Sequence, residues 1–367
     1  MTFWLCEPIA KAGEDRRTEI ERLADEVSPQ IARAVREALQ AQIDALDLDA
    51  IEAALRRGDQ AAVLALVGAM PPTRAAAITD AIETAVWQGG AAVVRTDPVL
   101  SGADFAFNRL NPALVRWLQD YELNLIREID AGTLAAVRTA LTDGMVAGQN
   151  PVQTARRVRE SVGLTAKQAR AVQNYRAFLE TIHERRSVKA LGLGREIDRR
   201  NGRQVFRPSK DGTPKDEIDL YRLRDFRYDG VLQRAMAQSR PLTAKQIDTQ
   251  VAAYQRKYLR HRSETIARTE SMRATSAGVL DAWRQAIAEG KVDGARVRKR
   301  WITAADERTC VICSPIPRMN PARGVPLEAR FASPRGPIAA PPAHPNCRCS
   351  PSVRLLEPSQ LQENDNA

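Results

Sequence analysis

The chain has 367 residues, enough for two or three domains, and its 44% hydrophobic and 27% charged residues are ordinary for a globular protein. No apolar run reaches the roughly 18 residues of a membrane span, and the first residues lack the pattern of a secretory signal. Four of the five cysteines lie near the C-terminal end, which argues against a disulfide framework and predicts a reducing compartment.

Charge is distributed unevenly along the chain. Residues 1–150 contain 14 Lys and Arg against 22 Asp and Glu, whereas the remaining residues contain 41 against 23. Residues 1–150, the front of the sequence, therefore carry a net charge of −8, and the remaining residues, the rear, carry +18, which together give the net charge of +10. Such asymmetry indicates contact with nucleic acid or another polyanion, and a solvated, arginine-rich helical surface is the alternative.

The first hundred residues have the periodicity of amphipathic helices. Between Ile20 and Leu39 apolar residues recur at spacings of three and four, which places them on one helical face. Gly89 and Gly90 predict either a kink or an end in a later helix of this region. We therefore expect residues 1–97 to form an acidic helical module, and no catalytic group is evident in it.

The central region also predicts helices, each with a recognisable start. The start signals are a capping residue before proline or one that faces Gln three positions later, at Asn111, Asn150, Thr165 and Thr243. Gly192–Pro214 is rich in Gly, Arg and Asp and predicts an exposed basic loop or hairpin. Tyr254–Trp283 predicts one long helix. Its small residues would let another helix approach closely: Ala267, Ala274, Ala277 and Gly278.

After Gly290 the apolar period changes to alternation, which predicts a strand over about 295–303 and further strands from Val325 and Cys347. The predicted fold class is mainly α: long helices form an elongated helical body, with a small C-terminal α+β domain stapled by a Cys/His cluster. The predicted domains are 1–97 (acidic module), 98–290 (helical core), 291–356 (Cys/His domain) and 357–367 (disordered tail).

The clustered cysteines have the spacing of metal ligands. Cys310 and Cys313 form a C-x-x-C pair, and His344 and Cys347 form a pair of the same reach. Tetrahedral zinc needs four such ligands. We predict a structural zinc site at these four residues, with Cys349 as the alternative ligand to Cys347.

Other chemistries for this cluster stay open at the level of sequence. Reduced thiols or a facultative disulfide within a small sheet would also account for the cysteines. A thioredoxin-like motif lacks its βαβ context, and a nucleophile paired with His344 lacks an orienting partner. An enzyme that uses the cluster is therefore the least favoured alternative.

Basic residues are concentrated in the predicted strand that precedes the cysteines. Arg296, Arg298, Lys299 and Arg300 are the candidate contacts to nucleic-acid phosphates. No zinc-finger recognition helix or helix-turn-helix pattern is visible, so we expect binding without base readout.

The motifs W-I-T-A-A-D-E-R-T-C-V-I-C, from Trp301, and P-A-H-P-N-C-R-C, from Pro342, resemble the C-terminal signature of the tailed-phage head-morphogenesis proteins of the Mu F-like minor head protein family. The segment I-A-R-T-E-S-M-R-A-T-S-A-G, from Ile266, is similar to the family's preceding helix. A weaker similarity begins near Leu141. The resemblance covers roughly residues 105–352 and leaves the first hundred residues unassigned.

The resemblance implies a low-copy structural protein of the virion, located at the portal vertex or capsid interior and assembled in the host bacterial cytoplasm. Implied partners are the portal, capsid or scaffold proteins and packaged double-stranded DNA, with no membrane in the assembled state. Some relatives carry a toxin domain after the signature, and we expect none here because the chain ends about eighteen residues after Cys349. The alternative, which rests on the basic rear of the sequence, is a non-specific DNA-binding protein that accompanies the packaged or ejected genome.

Overall fold

A computed structural model describes residues 11–184, 196–197, 204–205, 221, 223–303 and 309–362. The protein is mainly α with a small sheet near its C-terminal end, as the sequence predicted. The helices are α1 (Lys11–Asp44), α2 (Leu48–Arg56), α3 (Gln60–Val67), α4 (Pro72–Thr96), α5 (Pro98–Gly102), α6 (Pro112–Val146), α7 (Pro151–Ser161), α8 (Ala166–Thr181), α9 (Asp229–Ala237), α10 (Ala244–Ala288) and α11 (Pro358–Gln362). The strands are β1 (Glu196–Ile197), β2 (Gln204–Val205), β3 (Val297–Ile302), β4 (Val325–Pro326) and β5 (Ser350–Leu355).

The predicted helix starts are confirmed by their capping hydrogen bonds. Asn150 and Thr165 each form a reciprocal capping box with a glutamine three residues later. The Thr243 hydroxyl accepts from the backbone N–H of Gln246 at 3.3 Å, and the Gln246 side chain accepts from Thr243 N–H at 2.9 Å. Asn111 accepts from the first turn of α6 at 2.9 Å. These bonds satisfy N–H groups that would otherwise lack partners, so local sequence sets where the helices begin.

The chain divides into two compact units, each built from separated segments. The first comprises Met1–Ala38, Met70–Arg127 and Arg262–Ala367, and the second comprises Leu39–Ala69 and Glu128–His261. Each unit therefore combines residues from the acidic front and the basic rear of the sequence. The domain boundaries given from the sequence stay predictions.

Close contact between the backbones of α4 and α10 organises the first unit. A Cβ added at Gly278 would lie 2.0 Å from the Val86 carbonyl oxygen, and one at Gly89 would lie 2.3 Å from the Thr275 carbonyl oxygen. Helix α4 runs through Gly89 and Gly90 without ending. The glycines therefore mark a helix crossing, and the predicted close approach at Gly278 is confirmed with α4 as the partner helix.

A hydrophobic core surrounds this crossing and extends to the sheet. Trp283, on α10, is fully buried and belongs to the same cluster as Val297 on β3 and Val353 on β5. Its other buried members include Ile20, Val93, Leu100, Phe105, Met272, Val279, Leu280 and Leu327. Burial of this apolar surface attaches the small sheet to the long helix.

The sheet has the order β4-β3-β5, with both pairs antiparallel. Strand β3 occupies part of the span predicted as the first strand, and β4 and β5 begin at or after the two other predicted strand starts. Along β3, Val297, Lys299 and Trp301 are buried, whereas Arg298 and Arg300 are partly exposed. This alternation is the period of a half-buried strand.

The second unit has a core of closely packed aromatic rings. Tyr175 contacts Tyr221 and Tyr254 with ring centroids 5.1 and 4.5 Å apart. Arg224 and Asp229 form a buried ion pair, with Nε 3.0 Å from Oδ1 and both side chains 2% exposed. Because the two buried groups pair with each other, neither charge is left uncompensated within the core.

Two predicted segments lie partly outside the described residues. Within Gly192–Pro214, the structure describes only the antiparallel β1–β2 pair, which joins Glu196 to Val205. Of the segment predicted as a disordered tail, residues 363–367 lie outside the described residues. Pro358–Gln362 forms a short helix that begins with proline, a residue suited to the first helical position.

Among the described residues, no single helix is both long and apolar enough to cross a membrane. One bent pair, Gln60–Val67 with Pro72–Thr96, meets the requirement by length and composition only. Eight residues of Pro72–Thr96 are buried within the protein, including Ile78, Ile82 and Val86.

Exchange of Gly278 for alanine tests the helix crossing. The added methyl group would collide with the Val86 carbonyl, so we expect a loss of about 1–3 kcal/mol in the free energy of unfolding, measured by urea denaturation. Gly230→Ala is the matched control, because a Cβ at Gly230, on α9, meets nothing within 4 Å. The control should be neutral or stabilising by up to about 1 kcal/mol. Equal stability of both variants would contradict the crossing.

The carboxyl group of Glu122 predicts a pH-dependent stability. Burial, followed by the nearby carboxylates of Glu83 and Asp80, raises the pKa of Glu122 to about 7. The folded state binds this proton more tightly than the unfolded state does. Protonation of Glu122 therefore contributes fully to the free energy of unfolding below about pH 4.3, and this contribution is lost as pH rises through about 7. In Glu122→Gln, the melting temperature measured by thermal unfolding should no longer show the change that this carboxyl causes between about pH 5 and 8.

Glu128→Gln, on the exposed side of the same helix, is the control for Glu122→Gln. It should keep the pH dependence of the unaltered protein. An unchanged profile in Glu122→Gln would show that the stability does not depend on this carboxyl.

Candidate metal centre

Two short turns present the metal-ligand pairs. In the first, the Cys310 carbonyl accepts from the backbone N–H groups of Cys313 and Ser314 at 3.1 and 2.9 Å. In the second, the His344 carbonyl accepts from Cys347 N–H at 3.1 Å. Each tight turn places two potential ligands on the same side of the backbone, as the C-x-x-C and H-x-x-C spacings predict.

Asn346 shapes the second turn. Its φ is +59°, in the left-handed region where Asn is among the better tolerated residues. Its backbone N–H donates to the hydroxyl of Thr269 on α10 at 3.0 Å. The second turn is therefore fixed directly to the long helix.

The five predicted ligand residues come together around Cys313. Nε2 of His344 lies 3.0 Å from Cys310 Sγ and 3.2 Å from Cys313 Sγ, and Cys313 Sγ lies 3.6 Å from Cys347 Sγ. The ligand atoms form two overlapping groups, Cys310–Cys313–His344 and Cys313–Cys347–Cys349. Each group could hold a metal ion, and Cys313 belongs to both.

The ring of His344 has the orientation of a metal ligand. Its Nδ1 lies 2.8 Å from the carbonyl oxygen of Pro345. Because a carbonyl oxygen only accepts hydrogen bonds, Nδ1 carries the proton, and the lone pair of Nε2 points towards the sulfur atoms. A backbone carbonyl that fixes the tautomer in this way commonly supports a metal-bound histidine.

The sulfur atoms lie in a small apolar cluster on the sheet. Cys313, Cys347 and Cys349 are 1–3% exposed and pack with Trp301, Ile316, Val325 and Phe331. The Trp301 and Phe331 rings meet edge to face with centroids 5.4 Å apart. Little water reaches these sulfur atoms.

Thiol ionisation within the cluster is strongly coupled. Hydrogen bonds from the thiols of Cys313 and Cys349 lower the pKa of Cys347 well below its usual range. The hydrogen bond to Cys347 raises the pKa of Cys313 well above its usual range. Adjacent buried thiols resist ionising together because their negative charges repel. A bound cation removes that repulsion, so the donor set fits a thiolate-preferring metal ion.

The basic residues predicted as nucleic-acid contacts occupy different environments. Lys299 is 2% exposed, and its ammonium donates to the Ala339 carbonyl at 2.7 Å and lies 5.2 Å from the centre of the Phe331 ring. Burial lowers the pKa of Lys299 to about 8. Lys299 therefore cannot serve as a phosphate contact, because the strand turns its side chain into the core.

The three predicted arginine contacts are only partly buried. Arg296 donates to the Leu356 carbonyl at 2.7 Å and lies 3.7 Å from a Glu357 carboxylate oxygen. Arg298 donates to the Ala295 carbonyl at 2.7 Å. Arg300 shares the outer face of β3 with Arg298.

Two residues of the candidate sites were not predicted from the sequence, one at the second turn and one on the outer face of the sheet. Thr269 holds the second turn, yet it lies 77 residues before Asn346 and carries no sequence signal of that contact. Arg354 lies opposite Arg298 in the β3–β5 register and adds a third arginine to the outer face. Strand pairing alone could have suggested Arg354, once β5 was predicted.

The fold and site define a mainly helical protein with a small C-terminal sheet that carries a Cys/His cluster able to hold a metal ion. Residues 232–352 match the sequence model of the family described as phage Mu protein F like protein. The resemblance to the Mu F-like head-morphogenesis family is therefore confirmed over this segment, and the match indicates a phage head-morphogenesis protein associated with the virion. No curated protein and no solved structure matches the chain.

Proposed function

We propose that this protein is a minor head protein of a tailed phage that acts at the portal vertex or capsid interior. Its role would be in head morphogenesis and in the packaging or delivery of DNA, with portal, capsid or scaffold proteins as partners. The match of residues 232–352 to the Mu F-like family carries the proposal. The matched segment contains all of α10, strands β3 and β4, the beginning of β5 and the Cys/His cluster.

We also propose that the cluster is structural and that the protein is not an enzyme. The sulfur atoms of Cys313 and Cys347 are buried beneath an apolar cluster, where a substrate would not reach them. His344 faces two cysteines, and its second nitrogen is occupied by a backbone carbonyl. This arrangement supports holding a metal ion more than turnover of a substrate.

Zinc is the metal that this donor set favours. Thiolate sulfur and imidazole nitrogen are its usual structural ligands, and four of them complete the site. We propose Cys310, Cys313, His344 and Cys347 as the ligands, with Cys349 as the alternative to Cys347. The bound ion would join two turns that lie 34 residues apart in sequence, and so would stabilise the loop between them.

Metal content of the full chain, purified with reductant, tests the zinc proposal. We expect about one zinc per chain and loss of most of it in Cys313→Ser, because Cys313 belongs to both ligand groups. Val311→Ser is the control, since Val311 lies in the same turn and is 89% exposed. Cys347→Ser should lose zinc and Cys349→Ser should keep it, and the reverse result would assign Cys349 as the ligand. Unaltered protein without zinc would refute the site.

Incorporation into particles tests the head-protein proposal. A phage that lacks this gene should yield defective heads, and the gene supplied in trans should restore both the heads and the protein in purified virions. When the gene supplied in trans carries Cys313→Ser, we expect the protein to be less stable and to be incorporated less into virions. The Val311→Ser protein should be as stable and as well incorporated as the unaltered protein. Normal, infectious particles without the protein would contradict the proposed function. An enzyme would instead retain incorporation in Cys313→Ser and lose turnover.

Non-specific contact with packaged DNA is a second candidate role, favoured by the arginines on the outer face of the sheet. Arg298, Arg300 and Arg354 share this face, and the nearby Arg300 adds to burial in lowering the pKa of Arg354. Such clustered positive charge suits phosphate contacts without base readout. Binding of duplex DNA that did not weaken as salt increased would contradict this role.

A further inference from the structure

The second unit contains an open cavity of about 400 Å³ whose rim is rich in arginine. Helix α7 contributes Arg156 and Arg159, and α10 contributes Arg256. Its other lining residues are Gln40, Ile43, Leu48, Glu160, Arg176, Asp248, Thr249, Ala252 and Gln255. The volume lies in the range of about 300–1,000 Å³ that is typical of small-molecule sites.

Helical periodicity directs these side chains to one place. On α7, Arg156 and Arg159 are three residues apart, and so lie on the same face. On α10, Asp248, Ala252 and Arg256 follow at intervals of four. The convergence of two helix faces on one cavity therefore follows from their packing within the second unit, and does not require a long arginine run in the sequence.

The acidic groups of the cavity are already paired. Arg176, with its side chain 11% exposed, lies 2.5 Å from a Glu160 carboxylate oxygen and 2.7 Å from an Asp248 carboxylate oxygen. This ion-paired group joins both carboxylates to the same guanidinium. It also fixes the wall of the cavity, because each partner comes from a different helix.

The rim arginines have no such partners. Within the described chain, the guanidinium groups of Arg156, Arg159 and Arg256 form no ion pair and no hydrogen bond. All three residues are exposed. Grouped guanidinium groups repel one another, and an oxyanion relieves that repulsion while accepting their forked hydrogen bonds.

We propose that this cavity is a phosphate-binding site that takes a phosphate ester, either of a nucleic-acid backbone or of a nucleotide. Arg156, Arg159 and Arg256 provide the positive charge, and the apolar side chains of Ile43 and Leu48 provide a surface for the attached sugar or base. The site lies in the second unit and its residues are not those of the metal centre, so the inference does not depend on the proposed role in head assembly.

The test compares two charge-matched double variants of the full chain. Arg156→Gln/Arg159→Gln removes two arginines from the rim. Arg33→Gln/Arg36→Gln removes two exposed arginines that have the same spacing on α1 and do not line the cavity. Arg256→Gln serves as a second cavity variant, and unchanged circular dichroism and thermal unfolding establish that each variant is folded.

Two probes distinguish the sources of phosphate. A labelled 20-base-pair duplex is followed by fluorescence polarisation over a range of salt, and deoxyadenosine monophosphate is followed by calorimetry against deoxyadenosine. The cavity double variant should weaken at least one of the two phosphate probes about tenfold or more. For the duplex, the slope of log K against log salt should become shallower by about 2, because two phosphate contacts are lost. The α1 double variant should stay within about twofold of the unaltered protein on both probes.

Each result has a definite meaning. Loss confined to the duplex assigns the site to a nucleic-acid backbone, and loss confined to the monophosphate assigns it to a nucleotide. The proposal is overturned if the unaltered protein binds neither probe, or if the two double variants behave alike, because net charge alone would then account for binding.

Discussion

The close crossing of α4 and α10 is the constraint on which the first unit depends. Gly278 and Gly89 leave no side chain between the two backbones, so each helix meets the carbonyl groups of the other. Trp283, five residues beyond Gly278 on α10, then extends the core from the crossing to the sheet. The candidate metal centre lies on that sheet, and Thr269 on α10 holds one of its turns. The centre's position is therefore a consequence of helix packing.

The Cys/His cluster combines two opposing demands. Burial with Trp301 and Phe331 protects the sulfur atoms, yet burial also makes it costly for neighbouring thiols to ionise. A metal ion reconciles these demands, because it requires thiolates and neutralises them at once. The Pro345 carbonyl adds a third element by setting the tautomer of His344. The contacts that bury the cluster are thus the same ones that would hold a metal ion.

The local environment of each charged residue determines its role in this protein more than the net charge of the chain does. The acidic front and basic rear of the sequence both contribute to each compact unit. Adjacent basic residues on one strand differ completely: Lys299 is buried against a carbonyl and an aromatic ring, whereas Arg298 lies on the outer face. Among the described residues of the second unit, Arg176 pairs with two carboxylates, whereas the rim arginines beside it form no ion pair.

The sequence by itself determined the helical class, the helix starts, the strand regions and the grouping of the candidate ligands. Caps such as Asn150 and spacings such as C-x-x-C depend on residues only a few positions apart, so they are visible locally. Only the tertiary structure decided that Gly89 marks a crossing rather than a helix end, that Lys299 is buried, and that Arg156 and Arg256 share a cavity. Those outcomes depend on which surfaces pack together across long separations, and periodicity specifies a face without specifying its partner.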